Sequence, residues 1–365
     1  MITQIQLQNF KSLANINLSV CPLNLLTGLN SSGKSSLIQS LLLLLQSPDI
    51  GNGKLLLRGA AHPLFNAGIA EDVYYKQGNG AIRFSYGFDN GTALTWNFAY
   101  RAGQSNRNDY LQAPETYTSD QLGVLLNTPF QYLQAERLAP KDFYPASNDN
   151  VLNKKTLGIL GEHTAYYLNQ YGNKSIDSDA VQHPRAISRR LIHQAAAWLS
   201  EISPNVALST RLTDNNENVE LRYKYGTEEY KPKNVGFGLS YALPVIVALL
   251  TAQRGKLIII ENPESHVHPR GQAELGRLLA AAAQSGAQLF IETHSDHILN
   301  GIRVAVKQGL TTPNKVGIFF HQQTTTPTNA QYTQITPISI DTQGQLNNEP
   351  PNFLDEWNNQ LFKLL

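Results

Sequence analysis

At 365 residues the chain can bury a large core and has the length of about two average domains. Its 29 basic and 28 acidic residues leave a net charge of +1, and only 16% of residues are charged, which excludes a polybasic nucleic-acid coat and an acidic solvating tail. The single cysteine, Cys21, excludes a disulfide framework and a cysteine-based zinc module. No apolar run approaches the ~18 residues of a membrane span. The opening MITQIQLQNF also lacks the charged and apolar regions of a secretion signal, so a cytoplasmic, membrane-free protein is expected.

In chain order, residues 1–10 alternate apolar and polar, with Ile5 and Leu7 on one face, and predict a strand. Residues 23–27 predict a second, buried strand, followed at once by GLNSSGKSS and a Leu-rich helix through Gln46. Residues 47–70 read as loop. The alternation over 81–100 is broken by Asp89-Asn90-Gly91, a hairpin signal. Residues 101–128 are polar and loop-rich, 130–135 predict a strand, and 151–202 are mostly helical in pattern. Two short strands are expected around Asn215-Asn216, then a glycine-opened apolar helix beginning VGFGLS. Residues 257–260 and 288–293 read as buried strands with a helix between them, a strand–helix–strand unit of the parallel-sheet kind. From 322 onward the chain is rich in Thr, Gln, Asn and Pro, ending in the apolar FLDEWNNQLFKLL.

Gly28-Leu-Asn-Ser-Ser-Gly33-Lys34-Ser35 fits G-x-x-x-x-G-K-[ST] without departure, and it stands after a buried strand and before a helix. The glycines let successive N–H groups turn toward phosphates, and the helix N-terminus adds partial positive charge. The expected nucleotide contacts are Asn30, Ser31, Ser32, Gly33, Lys34, Ser35 and Ser36. Lys34 would reach the β- and γ-phosphates, and the Ser35 hydroxyl would hold Mg²⁺. ATP and Mg²⁺ are therefore the expected ligands. LIIIENPESHVHP places Glu261 at the end of a buried strand, where a carboxylate can join the Mg²⁺ shell, and QLFIETHSD places His294 at the end of a neighbouring one, able to meet a γ-phosphate. Gly236 and Gly238 open another helix with an anion-ready N-terminus, available to a nucleotide held by a second subunit.

Taken in order, NFKSL, GLNSSGKSS, GFGLS, IIIENPESHVHP and IETHSD resemble the ABC-type ATPase heads of the SMC/RecF group, and most closely the OLD-like bacterial ATPases. The resemblance covers roughly residues 1–45 and 231–305. It implies an α/β fold, a P-loop NTPase of the ABC type with a β-rich insertion and a helical lobe. On that frame one composite head spans 1–365. Its parts are a P-loop lobe (1–60), the insertion (61–128), a helical and β middle lobe (129–230), a signature, Walker B and switch-histidine lobe (231–321) and a tail (322–365). The resemblance further implies Glu261 as the Walker B acid, Gly236 to Ser240 as a signature loop acting in trans, and His294 as the switch histidine. It implies a homodimer closed on two nucleotides, acting on an effector such as a nuclease or toxin, or on a DNA-processing partner, in bacterial DNA maintenance or defence against phage. Lys11 is placed near the nucleotide, as it would be if the first strand neighboured the second. Gln134 is a candidate Mg²⁺-sensing glutamine or else a surface amide.

One departure stands out. Asn262 follows the Walker B acid where most such heads carry a glutamate, and an amide orients water without taking its proton. Glu264 is the nearest carboxylate, either a substitute base or a structural hydrogen-bond acceptor steadying the loop. Slow hydrolysis follows, with a non-hydrolysing ATP-dependent scaffold as the alternative. A transporter subunit is disfavoured by the departure from LSGGQ. Three weaker patterns complete the reading: a metal cluster of His266, His268, His294 and His297; a nuclease-like Asp214…Glu229-Tyr230-Lys231; and direct DNA contact through Arg185, Arg189, Arg190, Lys154 and Lys155.

Overall fold

The first strand, Ile2–Phe10, buries Ile2, Ile5, Leu7 and Phe10, and it pairs antiparallel with Leu13–Ser19 on one edge and Ile82–Phe88 on the other. The computed structural model describes residues 1–58, 63–100, 108–325, 329–350, 353, 361, 363 and 364. Asp89-Asn90-Gly91 turns Ile82–Phe88 into Ala93–Phe98, as the hairpin signal predicts, with Gly91 at φ 83°. The four strands form one antiparallel sheet, so the N-terminal strand lies in the same layer as the 82–98 hairpin. Phe10, Phe84 and Phe98 meet edge to face in its core, with ring centroids 5.0 and 5.5 Å apart.

The chain divides into two compact units. The first comprises Met1–Thr128, Gly317–Ile338 and Asn348–Leu365; the second comprises Pro129–Val316 and Ser339–Asn347. In the first unit, Leu23–Gly28 is buried along nearly its whole length and runs into the helix Lys34–Leu45. That helix buries Leu37, Ile38 and Leu41 to Leu44, so it is enclosed on nearly every side rather than amphipathic. Its buried Ser40 hydroxyl lies 2.7 Å from Leu37 O and 2.6 Å from Tyr86 Oη, which satisfies two polar groups inside the core. Beside Leu23–Gly28 lies Val316–Thr325, which pairs antiparallel with Gln331–Ile340 from Ile318↔Ile338 to Thr325↔Gln331. The polar composition after residue 322 thus conceals a strand. Its Gln and Thr side chains face each other across the exposed face, as in Gln323 with Gln331, while His321 and Thr333 are buried.

The second unit carries the parallel strands Phe130–Leu133, Leu257–Glu261 and Gln288–Glu292, with Glu261 in register with Glu292. The helix Pro269–Gln284 makes the predicted crossover between the last two. Helix content between 151 and 202 is lower than the pattern suggests: Thr164–Tyr171 and Leu191–Leu199 are the α-helices there. Gly158, Gly161, Gly172 and Pro184 interrupt the rest. The strands expected around Asn215-Asn216 are Val206–Leu212 and Asn218–Tyr225. No helix among the described residues is long and apolar enough to cross a membrane.

Candidate functional site

The phosphate loop leaves its strand at Gly28 with φ 136°, a conformation open to glycine, and a side chain there would meet the His321 carbonyl at 2.0 Å. Gly33 closes the loop at φ 90°, where a Cβ would fall 2.3 Å from Thr333 Oγ1 and 2.8 Å from Ser12 Oγ. The residue type at both positions is therefore set twice, by backbone torsion and by the wall behind it. That wall is built from distant sequence. Thr333 Oγ1 sits 3.0 Å from Ser32 O and 2.8 Å from Ser12 Oγ, so its hydroxyl donates to the carbonyl and accepts from the serine.

Within the loop, Asn30 and Ser31 are exposed, Ser35 is half-buried and Ser36 is buried. Ser32 is buried, and its hydroxyl finds no hydrogen-bond partner among the described residues. Lys34 is 3% exposed and donates from Nζ to the carbonyls of Gly28 (3.0 Å) and Leu29 (2.8 Å). The helix it begins has no side-chain cap and no acidic residue in its first turn. Its leading N–H groups therefore suit an external anion.

Lys11 lies in the same unit. Its strand pairs with Leu13–Ser19 and Ile82–Phe88 rather than with Leu23–Gly28, but the turn that carries it lies against the loop, with Ser12 Oγ 2.8 Å from where a Gly33 Cβ would stand. Its Nζ donates to Gln39 Oε1 at 2.7 Å and lies 4.6 Å from the Phe65 ring centroid; burial holds its pKa below the usual lysine value. Ser12, one residue on, is the member of this turn that touches the loop wall.

In the second unit, Glu261 ends its parallel strand with both carboxylate oxygens engaged. Oε1 accepts from Tyr132 Oη and Oε2 from the Ala135 amide, each at 3.0 Å. Each oxygen retains a second lone pair for a metal-bound water. Gln134 sits half-buried in the same turn, its backbone N–H held by Ile159 O at 3.0 Å. Asn262 follows at φ 44°, donating its N–H to Glu292 O at 2.8 Å, with a buried Oδ1 that meets no donor among the described residues. Glu264 accepts from Thr293 Oγ1 and from the His294 amide, both at 2.8 Å. Its carboxylate ties the acid-strand loop to the loop bearing His294, which is the loop-steadying role. Burial pushes its pKa up against those hydrogen bonds. The His294 imidazole is exposed.

Sequence reasoning missed Arg137. Glu136 is exposed, whereas Arg137 is 3% exposed and donates from Nη2 to the backbone carbonyl of Glu261 at 2.7 Å. Burial lowers its pKa to about 10 against the opposing pull of Glu261 and Glu264. The adjacent Glu136-Arg137 pair after a strand carried no signal of burial.

Gly236 caps the exposed start of the helix Phe237–Leu250, and Gly238 packs where a Cβ would meet His266 O at 2.5 Å. Phe237, Tyr241 and His266 cluster beside it, with the Tyr241 and His266 centroids 4.5 Å apart. Ser240 lies one turn deeper and is 7% exposed, facing Tyr144 and Tyr223 rather than the open helix end.

A family model described as "AAA domain, putative AbiEii toxin, Type IV TA system" matches residues 23–300, well over half of the chain. The chain belongs to this family. It is an AAA ATPase of the ABC/SMC-like type, with a mixed α/β P-loop NTPase fold. A second model, described as a protein of unknown function (DUF3696), matches residues 312–364. No curated protein matches. Among solved structures, an SmcHead bound to the C-winged helix domain of ScpA is similar at 12% identity and a TM-score of 0.56, over 93% of this chain and 97% of that one. An Smc head domain with an extended coiled coil from Pyrococcus furiosus, bound to the C-terminal domain of ScpA, aligns at 11% identity and a TM-score of 0.48, over 100% of this chain and 99% of that one.

Two other sequence patterns of this AAA ATPase, the metal cluster and the nuclease-like triad, resolve into ordinary structure. No group of three or more His, Cys, Asp or Glu among the described residues could hold a metal ion, so the four histidines form no cluster. His268, for instance, caps the helix Pro269–Gln284. Asp214 lies in the turn between Val206–Leu212 and Asn218–Tyr225, whereas Glu229 pairs with Lys224 at the other end of that second strand. The nuclease-like triad is therefore not assembled. Of the candidate DNA-contacting cations, Arg185 pairs with Glu201, Arg189 with Asp179 and Lys154 with Asp149.

Behind the loop, buried His321 donates from Nδ1 to Phe319 O at 3.1 Å, and its pKa is pushed down to about 4 by burial, with Lys34 adding repulsion. The unfolded chain takes up a proton near pH 6.5 that the folded one refuses until about pH 4. Stability from this group is thus present above 6.5 and lost as pH falls through that window, by about 3 kcal/mol in all. Urea unfolding at pH 7 and pH 4 should show His321→Gln losing less stability on acidification than wild type by that amount. Parallel pH profiles would refute the assignment.

Proposed function

We propose that this AAA ATPase binds ATP with Mg²⁺ and hydrolyses it slowly, using the bound state to close two heads on each other and to signal a partner effector in DNA maintenance or defence against phage. The reading rests above all on the helix start at Lys34, which no described side chain caps, with the buried Ser32 hydroxyl beside it that finds no partner among the described residues, a constellation that suits phosphate oxygens. The proposed roles follow from the chemistry of each side chain. The loop amides of residues 30–36 and the Lys34 ammonium bind and orient the phosphates. Ser35 and Glu261 are hard oxygen donors of the kind Mg²⁺ takes, with Gln134 a third candidate; when bound, the ion would neutralise phosphate charge during transfer. His294 presents an exposed imidazole for the γ-phosphate. Gly236 and Gly238, at an exposed helix N-terminus, would meet the partner head's nucleotide, and Ser240 supports that turn from beneath. The similar SmcHead is bound to a winged-helix domain of another protein, a precedent for a head of this fold engaging an effector.

Asn262 is the observation favouring slow turnover. It holds its place by backbone geometry and offers no base, while the Glu264 carboxylate already bridges Thr293 and His294 with one hydrogen bond on each oxygen. A single-turnover assay with Mg·ATP, read together with mass measurement of the free and ATP-bound protein, tests the reading. Stoichiometric but slow phosphate release and an ATP-dependent doubling of mass are expected. Glu264→Gln should leave the release rate within about threefold, since an amide can still accept from the His294 N–H and meet the Thr293 hydroxyl. A rate drop of about 100-fold in that variant would make Glu264 the base. Doubling without phosphate release would identify the scaffold reading instead, and no ATP binding at all would refute both.

A further inference from the structure

The Ser32–Gly33 peptide has one polar group that the wall of the loop takes and one that it leaves. Thr333 Oγ1 lies 3.0 Å from Ser32 O, whereas the Gly33 N–H meets no acceptor among the described residues. The peptide is trans, and a trans peptide points its C=O and N–H in opposite directions. A carbonyl turned back to Thr333 therefore aims the Gly33 amide away from the wall, as phosphate-binding loops require. Glycine is forced at position 33, because φ is 90° and a Cβ would stand 2.3 Å from Thr333 Oγ1. Yet glycine also makes this peptide easy to rotate, since it takes either sign of φ at little cost. A flip would replace an N–H donor by a carbonyl oxygen and repel a phosphate. Thr333 is well fixed to oppose it. The residue is 2% exposed and branched at Cβ, and its own N–H donates to Ser12 O at 2.8 Å. Ser12 Oγ, 2.8 Å from the threonine hydroxyl, donates to it and leaves its proton for Ser32 O. All of these residues belong to the first compact unit.

We propose that Thr333 is a positioning residue of the phosphate loop, whose hydroxyl locks the Ser32–Gly33 peptide with its N–H outward and so sets the affinity for a polyphosphate chain. The inference rests on the ATP reading above. Thr333 stands behind the loop and acts through the backbone of Ser32 and Gly33. Ser12 is its auxiliary, because it orients the hydroxyl on which the lock depends.

Wild type, Thr333→Val, Thr333→Ser and Ser12→Ala should be compared by calorimetric titration with Mg·ATP, alongside thermal unfolding without nucleotide. Valine keeps the branched shape and removes the hydroxyl, whereas serine keeps the hydroxyl and removes the methyl. Both should lower the unfolding temperature by about 2–6 °C, one through a lost hydrogen bond and the other through lost packing. Affinity should follow the hydroxyl and not the unfolding temperature. Thr333→Val is expected to lose about tenfold in ATP affinity, the loss of one charge-assisted hydrogen bond, while Thr333→Ser stays within about threefold of wild type. Ser12→Ala frees the threonine hydroxyl to turn and should lose about threefold. Equal loss of affinity in Thr333→Val and Thr333→Ser would mark Thr333 as a packing residue and overturn the proposal. So would unchanged affinity in Thr333→Val, or in Ser12→Ala should valine prevent folding. Wild type that binds no ATP would overturn the ATP reading and this proposal with it, a result distinct from the others.

Discussion

Replacing Lys34 with alanine is expected to weaken Mg·ATP binding by about 100-fold or more, equivalent to about 2.7 kcal/mol. The ammonium is almost wholly buried, and without nucleotide it spends its donors on the Gly28 and Leu29 carbonyls. Those carbonyl bonds fix the ammonium against the backbone of the loop. Exchanging neutral acceptors for phosphate oxygens gives charge-assisted bonds roughly twice as strong. Alanine loses that exchange and removes the Lys34 bond from both carbonyls, of which Leu29 O keeps the Ser32 N–H, so a modest fall in stability of about 1–2 kcal/mol should accompany the binding defect. Fluorescent-nucleotide titration reads the first effect and denaturant unfolding the second. Binding within threefold of wild type would remove the loop from the nucleotide site.

Glu261→Gln should lower single-turnover phosphate release by about 100-fold while leaving ATP affinity within about threefold. The side chain meets two different donors, and this decides why glutamine is the right probe. Its carbonyl can keep the Ala135 amide, and its NH₂ can donate to a Tyr132 hydroxyl that rotates to accept. The local fold therefore survives, with an unfolding temperature within about 3 °C, while the negative charge that would face a metal-bound water is gone. Loss of rate and affinity together would assign Glu261 to holding the strand end. An unchanged rate would remove it from the chemistry.

Much of the candidate site was legible because its parts are local. An apolar strand, a glycine-bounded loop and a leucine-rich helix occupy consecutive residues, and backbone torsion at Gly28 and Gly33 is a property of that short stretch. The acid and histidine at the ends of two buried strands could be read for the same reason, since strand, helix and strand follow one another over forty residues or so. Partnerships between distant residues were not legible. Glu264 bridging two loops, Ser240 turned inward, and Lys154, Arg185 and Arg189 paired with acids all depend on which side chain folding brings opposite.

By itself, then, the sequence determined the phosphate loop, the carboxylate of Glu261 at its strand end, the amide of Asn262 after it and the parallel unit that carries them, because short-range sterics and hydrophobic patterning act within a few turns of chain. Only the tertiary structure decided what stands behind and beside those residues. Thr333 supports Ser32 from 301 positions away, and Arg137 reaches the Glu261 carbonyl from 124 away. Burial of a polar group depends on every element that packs over it. That is why a Thr/Gln-rich tail became the wall of the loop and an arginine beside a glutamate became a buried cation with two donors to spare.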